Sequence, residues 1–221
     1  MSGTGITARA SEPRELAGNR GGARATSSPV WMASAFLVSL VVAAIVLATF
    51  GAGEHGTSQA LRATARWCFV LFWPAYAGGA LARFGGPRFA IFARHGRDFG
   101  LAFAAALAVH VALVLWHLHV TGEPAFSMLF FWAGVFATYA LALLSLPRLH
   151  DLLGPRLWRI GCELALQYIA LVFADDFILE PLQAAGPDKY PLSYLPFVIL
   201  LVGGAVLRLA AQLRRRPAVG G

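Results

Sequence analysis

The sequence predicts an all-α, polytopic membrane protein with six transmembrane helices, and three observations lead to this fold class. Of the 221 residues, 58% are hydrophobic and only 13% are charged, a balance far outside the range of soluble domains. Several uncharged runs reach the roughly 20 residues that a helix needs to cross a hydrocarbon core. The basic residues also cluster in alternate segments between these runs, as expected of a protein threaded repeatedly through a bilayer.

Four runs are long and apolar enough to be predicted as transmembrane helices on their own. They comprise residues 30–50, 99–122, 124–147 and 190–207. Very few polar residues separate the second run from the third, so we expect those two helices to be antiparallel neighbours.

Two weaker runs complete the count of six. Residues 67–82 are short but are flanked by arginines, whose long side chains can reach the interface and extend the span. Residues 160–179 contain three acidic side chains, two of which lie near the end of the run, where a charge costs less than at the bilayer centre. We therefore predict a helix in each.

The distribution of basic residues predicts the orientation of the six helices. With the N-terminus in the cytoplasm, all but three of the 18 lysines and arginines fall in cytoplasmic segments, and the exceptions are Arg62, Arg66 and Lys189. We expect a multi-pass protein of the cell inner membrane with both termini cytoplasmic. Residues 1–29 are predicted to be a disordered basic cytoplasmic tail, residues 30–212 the six-helix domain, and residues 213–221 a basic C-terminal tail.

The net charge of +7 is explained by this topology and by attraction to anionic lipid head groups. The lipid bilayer is thus the expected partner, and nucleic acid is not, because no basic folded domain remains outside the spans. A cleavable signal peptide is not expected, since the polar leader is long and the first apolar run spans a membrane by itself. Cys68 and Cys162 lie in different spans near opposite faces, which predicts buried free thiols and no disulfide.

The stretch HVALVLWHLHV places His110, His117 and His119 in an otherwise apolar helix. At about 1.5 Å per residue from the cytoplasmic end, His110 is expected about 18 Å deep and His117 close to the outer surface. His110 and His117 share a helix face, because seven residues make about two turns, whereas His119 points away from His110.

Three acidic residues of the fifth helix are expected at overlapping depths. Asp175, Asp176 and Glu180 follow a long apolar run, and they meet His110 or His117 if the two helices touch. Such a cluster could bind a divalent metal, relay protons or bind a cationic ligand. In the structural alternatives, His110 makes an interior hydrogen bond, the other two histidines are interfacial, and the aspartates mark the end of the apolar run.

Three stretches together resemble a known family. RATARWCFVLFWPAYAGGALARF (62–84), RHGRDFGLAFAAALAVHVALVLW (94–116) and LGPRLWRIGCELALQYIALVFADDF (153–177) are similar to the ferric reductase-like transmembrane family, which includes the haem-binding membrane subunit of the methionine sulfoxide reductase system. The resemblance implies six helices, electron transfer across the bilayer through b-type haem held by histidines, and a redox partner subunit. The protein would then be an oxidoreductase component.

The site residues match this family in part. His110 stands where the family has a histidine midway along the third helix. On the fifth helix, Trp158 and Arg159 match, but Cys162 occupies the first histidine position and Asp175 or Asp176 the second. A low-spin b haem takes two axial nitrogens, normally from different helices, and the fifth helix offers no imidazole.

We therefore carry three hypotheses for the function of the chain. In the first, the protein conducts electrons through b haem, with His110 as the ligand to iron and His117 also in the cofactor site. In the second, the same architecture lacks haem and acts as a membrane binding or accessory component. In the third, it transports protons or ions through His110 with Asp175 or Asp176. The sequence assigns no catalytic residue.

Overall fold

The computed structural model describes residues 27–124, 128–145, 147–185 and 192–214, which form helices and no strands. The all-α prediction is confirmed for this part of the chain. The helices are α1 (Ser27–Phe50), α2 (Glu54–Gly85), α3 (Ala90–Arg94), α4 (Gly96–Thr121), α5 (Leu129–Leu144), α6 (Pro147–Ala174), α7 (Glu180–Ala185) and α8 (Leu195–Leu213). A π-helical segment, Asp175–Leu179, joins α6 to α7.

Each of the six predicted spans overlaps one of the longer helices. By length and composition, three stretches of the described residues could cross a membrane, namely Ser28–Phe50, Gly96–Thr121 and Leu192–Leu213. The apolar helix α5 has only 16 residues. Most of both predicted tails lies outside the described residues, although α1 begins at Ser27, inside the predicted N-terminal tail.

The outer surface of the bundle carries many large apolar side chains. Phe136 of α5 is 77% exposed and Leu164 of α6 is 67% exposed. The long apolar helices α1 and α8 present similar side chains over most of their length. A soluble protein rarely exposes contiguous apolar surface of this extent, so the surface is suited to contact with lipid.

Helix α2 lies at the centre of the bundle and packs against α1, α4 and α8. Its Phe69 and Phe72 are completely buried. The Phe69 ring meets the rings of Phe173 on α6 and Phe177 in the π-helical segment edge-on, each with centroids 5.2 Å apart. Such edge-to-face pairs add to the energy of apolar burial, and here they join α2 to the chain around the π-helical segment.

Two Gly-Gly pairs were expected to allow close helix approach, and one glycine of each pair does so. A Cβ at Gly78 would lie 2.9 Å from the Cβ of Phe92, next to α3, and one at Gly204 would lie 3.1 Å from Nε1 of Trp73 on α2. Their neighbours Gly79 and Gly203 have no such contacts within 4 Å. The absence of a side chain therefore brings α3 and α8 against α2.

A network of polar side chains links α8, α6 and α2, and we call it the Arg208 network. Arg208 contacts Glu163 with an Nη2–Oε2 distance of 2.5 Å and also donates to the backbone carbonyl of Tyr76, whose ring lies below the guanidinium at 4.5 Å. Gln212 and Gln167 donate to the other oxygen of Glu163 at 2.9 and 3.2 Å. Glu163, which weakened the fifth predicted span, is thus paired with a cation.

Candidate functional site

A cavity of about 400 Å³ opens between α2, α4, α5 and α6, near the end of the bundle where α4 ends at Thr121. We call it the Thr121-end cavity. Its volume falls in the range of about 300–1,000 Å³ that is typical of small-molecule and cofactor sites. Six ionisable side chains line it, namely Arg62, His110, His117, Asp175, Asp176 and Glu180. The histidines and the acidic residues that the sequence analysis singled out are thus brought to one cavity.

His110 is buried, with 8% of its surface exposed, and it is fixed by a hydrogen bond to α2. Its Nδ1 lies 2.8 Å from Oγ1 of Thr64, and the ring of Phe131 stands edge-on to the imidazole at 5.8 Å. Among the described residues, Nε2 of His110 has no hydrogen-bond partner. The interior hydrogen bond expected of His110 is present, and the second ring nitrogen remains free for a ligand.

His117 is half-buried and is held in the same way one heptad further along α4. Its Nδ1 lies 2.9 Å from Oγ1 of Thr57 on α2. His119, in contrast, is exposed beside Trp116, with the ring centroids 5.8 Å apart. The interfacial position expected of both histidines therefore fits His119, whereas His117 lines the cavity.

The carboxylates lie on the wall of the cavity opposite α4. Asp175 and Asp176 begin the π-helical segment, and Glu180 follows it as the first residue of α7. The helical chain does not end at the two aspartates, as the structural alternative assumed, but continues to Ala185. Within the described ranges, these three carboxylates have no hydrogen bond or ion pair. Such π-helical turns are frequent at functional sites.

A smaller cavity of about 30 Å³ adjoins the first at His110 and Asp176. Cys68 and Thr138 also line it. This volume holds a water molecule, and the surrounding polar atoms supply partners for one. Both cysteines are free thiols, as expected.

A third cavity of about 460 Å³ lies at the other end of the bundle and is lined by Arg97, Trp158 and Cys162. No histidine is among its described lining residues. Cys162 and Asp176, which stand at the two histidine positions expected on the fifth helix, therefore line different cavities.

The donor atoms around the Thr121-end cavity decide which haem or metal could be held there. His110 supplies one imidazole, but the facing residues on α6 and the π-helical segment are Val172 and Asp176. A haem with two axial histidines does not fit these residues, whereas a haem held by one histidine, as in globins and peroxidases, does. In the part of the chain that the structure describes, no three His, Cys, Asp or Glu side chains form a ready metal site.

No model of a protein family matches the chain, and neither curated proteins nor solved structures include a match. The functional candidates that sequence reasoning missed are Thr57 and Thr64, which hold the two histidines. Their seven-residue spacing equals that of His110 and His117. This shared spacing was the available signal.

Proposed function

We propose that the protein is a six-pass protein of the cell inner membrane, with both termini in the cytoplasm, that transfers electrons through b-type haem held by His110. The six longer helices, the exposed apolar surface and the uneven distribution of basic residues support the topology. Reporter fusions test it, because both ends should be found in the cytoplasm. Ends on opposite faces would contradict it.

One observation carries the haem proposal, namely the hydrogen bonding of His110. Nδ1 is bonded to Thr64 while Nε2 has no described partner at the cavity. Histidines that bind metals almost always use their other ring nitrogen in such a hydrogen bond, which fixes the orientation of the ring. The resemblance of residues 62–177 to ferric reductase-like proteins favours haem iron as the metal.

The residues of the cavity would have distinct roles in this function. Haem, when bound, supplies one-electron redox chemistry. His110 would provide a single axial nitrogen, Thr64 orients that imidazole, and Arg62 is the cation available to an anionic group of the cofactor. The apolar side chains between them exclude water. Electrons would enter and leave through a redox partner subunit.

The test is a reduced-minus-oxidised absorption spectrum of the purified protein, with iron quantified in the same sample. We expect a b-type spectrum that is lost in His110→Ala and retained in His119→Ala, the matched control on the same helix. Colourless, iron-free protein from cells with ample haem would overturn the proposal. So would a spectrum that His110→Ala leaves unchanged.

The carboxylates of the cavity favour a second candidate function, the binding of a cation or the relay of protons without haem. Unpaired ionisable groups inside a membrane are costly and mark ion or proton pathways. His110 and Asp176 would then be the central pair, with Asp175 and Glu180 nearer the rim. Purified protein in liposomes with a trapped pH dye should conduct protons, and Asp176→Asn should abolish this. Protein without conductance in haem-free form would contradict this candidate.

A further inference from the structure

Two threonine–histidine pairs join α2 to α4 at the Thr121-end cavity. Thr64 bonds His110 at 2.8 Å, and Thr57 bonds His117 at 2.9 Å. The helices are antiparallel, and each pair lies two turns from the other on both of them. The two pairs are thus the same arrangement at two depths of one cavity.

The threonine hydroxyls already have acceptors within their own helix. Oγ1 of Thr64 lies 2.8 Å from the carbonyl oxygen of Ala60, and Oγ1 of Thr57 lies 2.9 Å from that of Gly53. A hydroxyl has one proton and two acceptor lone pairs. If the proton is donated to the helix carbonyl, the hydroxyl oxygen can only accept from histidine, so Nδ1 carries the hydrogen.

The opposite proton arrangement is less favourable for His110. If Thr64 donated to Nδ1, the hydrogen of the ring would lie on Nε2, for which the described residues provide no acceptor. A buried donor without a partner costs about 1–3 kcal/mol. The Nδ1–H tautomer avoids this cost and leaves a lone pair on Nε2.

We infer that Thr64 and Thr57 are positioning residues that hold His110 and His117 as Nδ1–H tautomers, so that two ring-nitrogen lone pairs face the Thr121-end cavity. The ligand chemistry that this arrangement accepts is a transition-metal cation, either as a free ion or as the iron of haem. Only the choice of haem iron rests on the proposed function. The assignment makes His117 a second ligand position.

The two imidazoles would bind separate metal ions. Seven residues along one helix separate them by about 10 Å, which is too far for a shared ion. Carboxylates of the opposite wall, Asp176 deeper and Glu180 nearer the rim, are available to complete each coordination sphere with water. Outer partners of ligating histidines typically change metal affinity about 10- to 100-fold when they are removed.

The experiment uses the full chain, haem-free, in detergent with ¹⁵N-labelled histidine, and reads each tautomer from the long-range ¹⁵N–¹H correlations of the ring. We expect hydrogen on Nδ1 of both residues. Thr64→Val should release His110 from this tautomer and leave His117 unchanged, and Thr57→Val should do the converse. Each histidine is the internal control for the other, and Thr64→Ser, which keeps the hydroxyl, should restore the pattern.

Zn²⁺ is the probe for the metal-binding part of the inference. It should shift Nε2 of both histidines in the wild type, and the affinity at His110 should fall about 10-fold or more in Thr64→Val but not in Thr64→Ser. Hydrogen on Nε2 in the wild type, a tautomer that Thr64→Val does not alter, or Zn²⁺ that shifts neither Nε2 would overturn the inference. Because the sample contains no haem, these outcomes are separate from failure of the electron-transfer proposal.

Discussion

The Arg208 network and the Thr121-end cavity are both polar regions inside an apolar bundle, but they treat charge in opposite ways. In the network, Arg208 and Glu163 are in direct contact and two glutamines occupy the remaining acceptor positions. In the cavity, imidazoles and carboxylates stand on facing walls without contact. The comparison teaches that a polar residue in an apolar helix indicates function only where its partners are kept away.

The difference follows from how closely the helices pack. Gly204 lets α8 approach α2, so the side chain of Arg208 reaches both α2 and α6. At the Thr121 end, the π-helical segment and the side chains of α4 are separated by an open volume. Close packing thus forms a stabilising contact at one end, and the gap leaves room for a ligand at the other.

Loss of the cation of the network should have the largest effect on stability. Arg208→Leu leaves Glu163 without its partner, and we expect the free energy of unfolding in detergent to fall by about 3 kcal/mol. The double variant Arg208→Leu/Glu163→Leu should recover part of this loss, because no unpaired charge remains. Unfolding in increasing SDS measures both. A double variant that loses the sum of the two single effects would show that the residues do not interact.

A matched pair of carboxyl-to-amide changes should separate the two regions by sign. Glu163→Gln weakens hydrogen bonds to a charged group and should lower the free energy of unfolding by about 1.5–2 kcal/mol. Asp176→Asn removes an unpaired carboxylate, and we expect stability to stay equal or to rise by about 0.5–1 kcal/mol. Thermal unfolding of both variants in one detergent provides the measurement. Equal losses would mean that the cavity is as tightly bonded as the network.

A smaller effect is expected from the threonine that holds His110. Thr64→Val keeps the side-chain volume but removes the acceptor for Nδ1, which should cost about 1 kcal/mol. Thr138→Val is the matched control, because Thr138 is also buried and bonds only the carbonyl of Gly134 in its own helix. Denaturant midpoints at equal slope compare the two. A loss in Thr138→Val as large as that in Thr64→Val would argue against a contribution from the histidine contact.

The smallest effect should distinguish the two histidines near the end of α4. His119→Ala alters an exposed side chain and should change stability by less than about 0.5 kcal/mol. His117→Ala removes the partner of Thr57 and should cost about 1 kcal/mol. Differential scanning calorimetry of the two variants can resolve this, and equal melting temperatures would place His117 at the surface as well.

Much of the fold could be predicted from the sequence, because apolar run length is a local property. Each predicted span overlaps a helix, and depth counting brought His110, His117, Asp175 and Asp176 to one level. The pairing of Thr57 and Thr64 with the histidines depends on the register between two helices, which no single run of residues contains. The contact of Arg208 with Glu163 was missed for the same reason, since the predicted span ended one residue before the arginine.

The π-helical turn at Asp175–Leu179 has a consequence for how this cavity tolerates changes in chain length. A turn of this kind contains about one residue more than an α-helical turn, so it offsets the angular position of everything that follows. Deleting a single residue here would let regular α-helix resume and would rotate Glu180 by about 100° around the helix axis. Such a shortened chain would keep its helices yet swing an acidic side chain from the rim of the cavity, so we expect length at this point to matter more than residue identity.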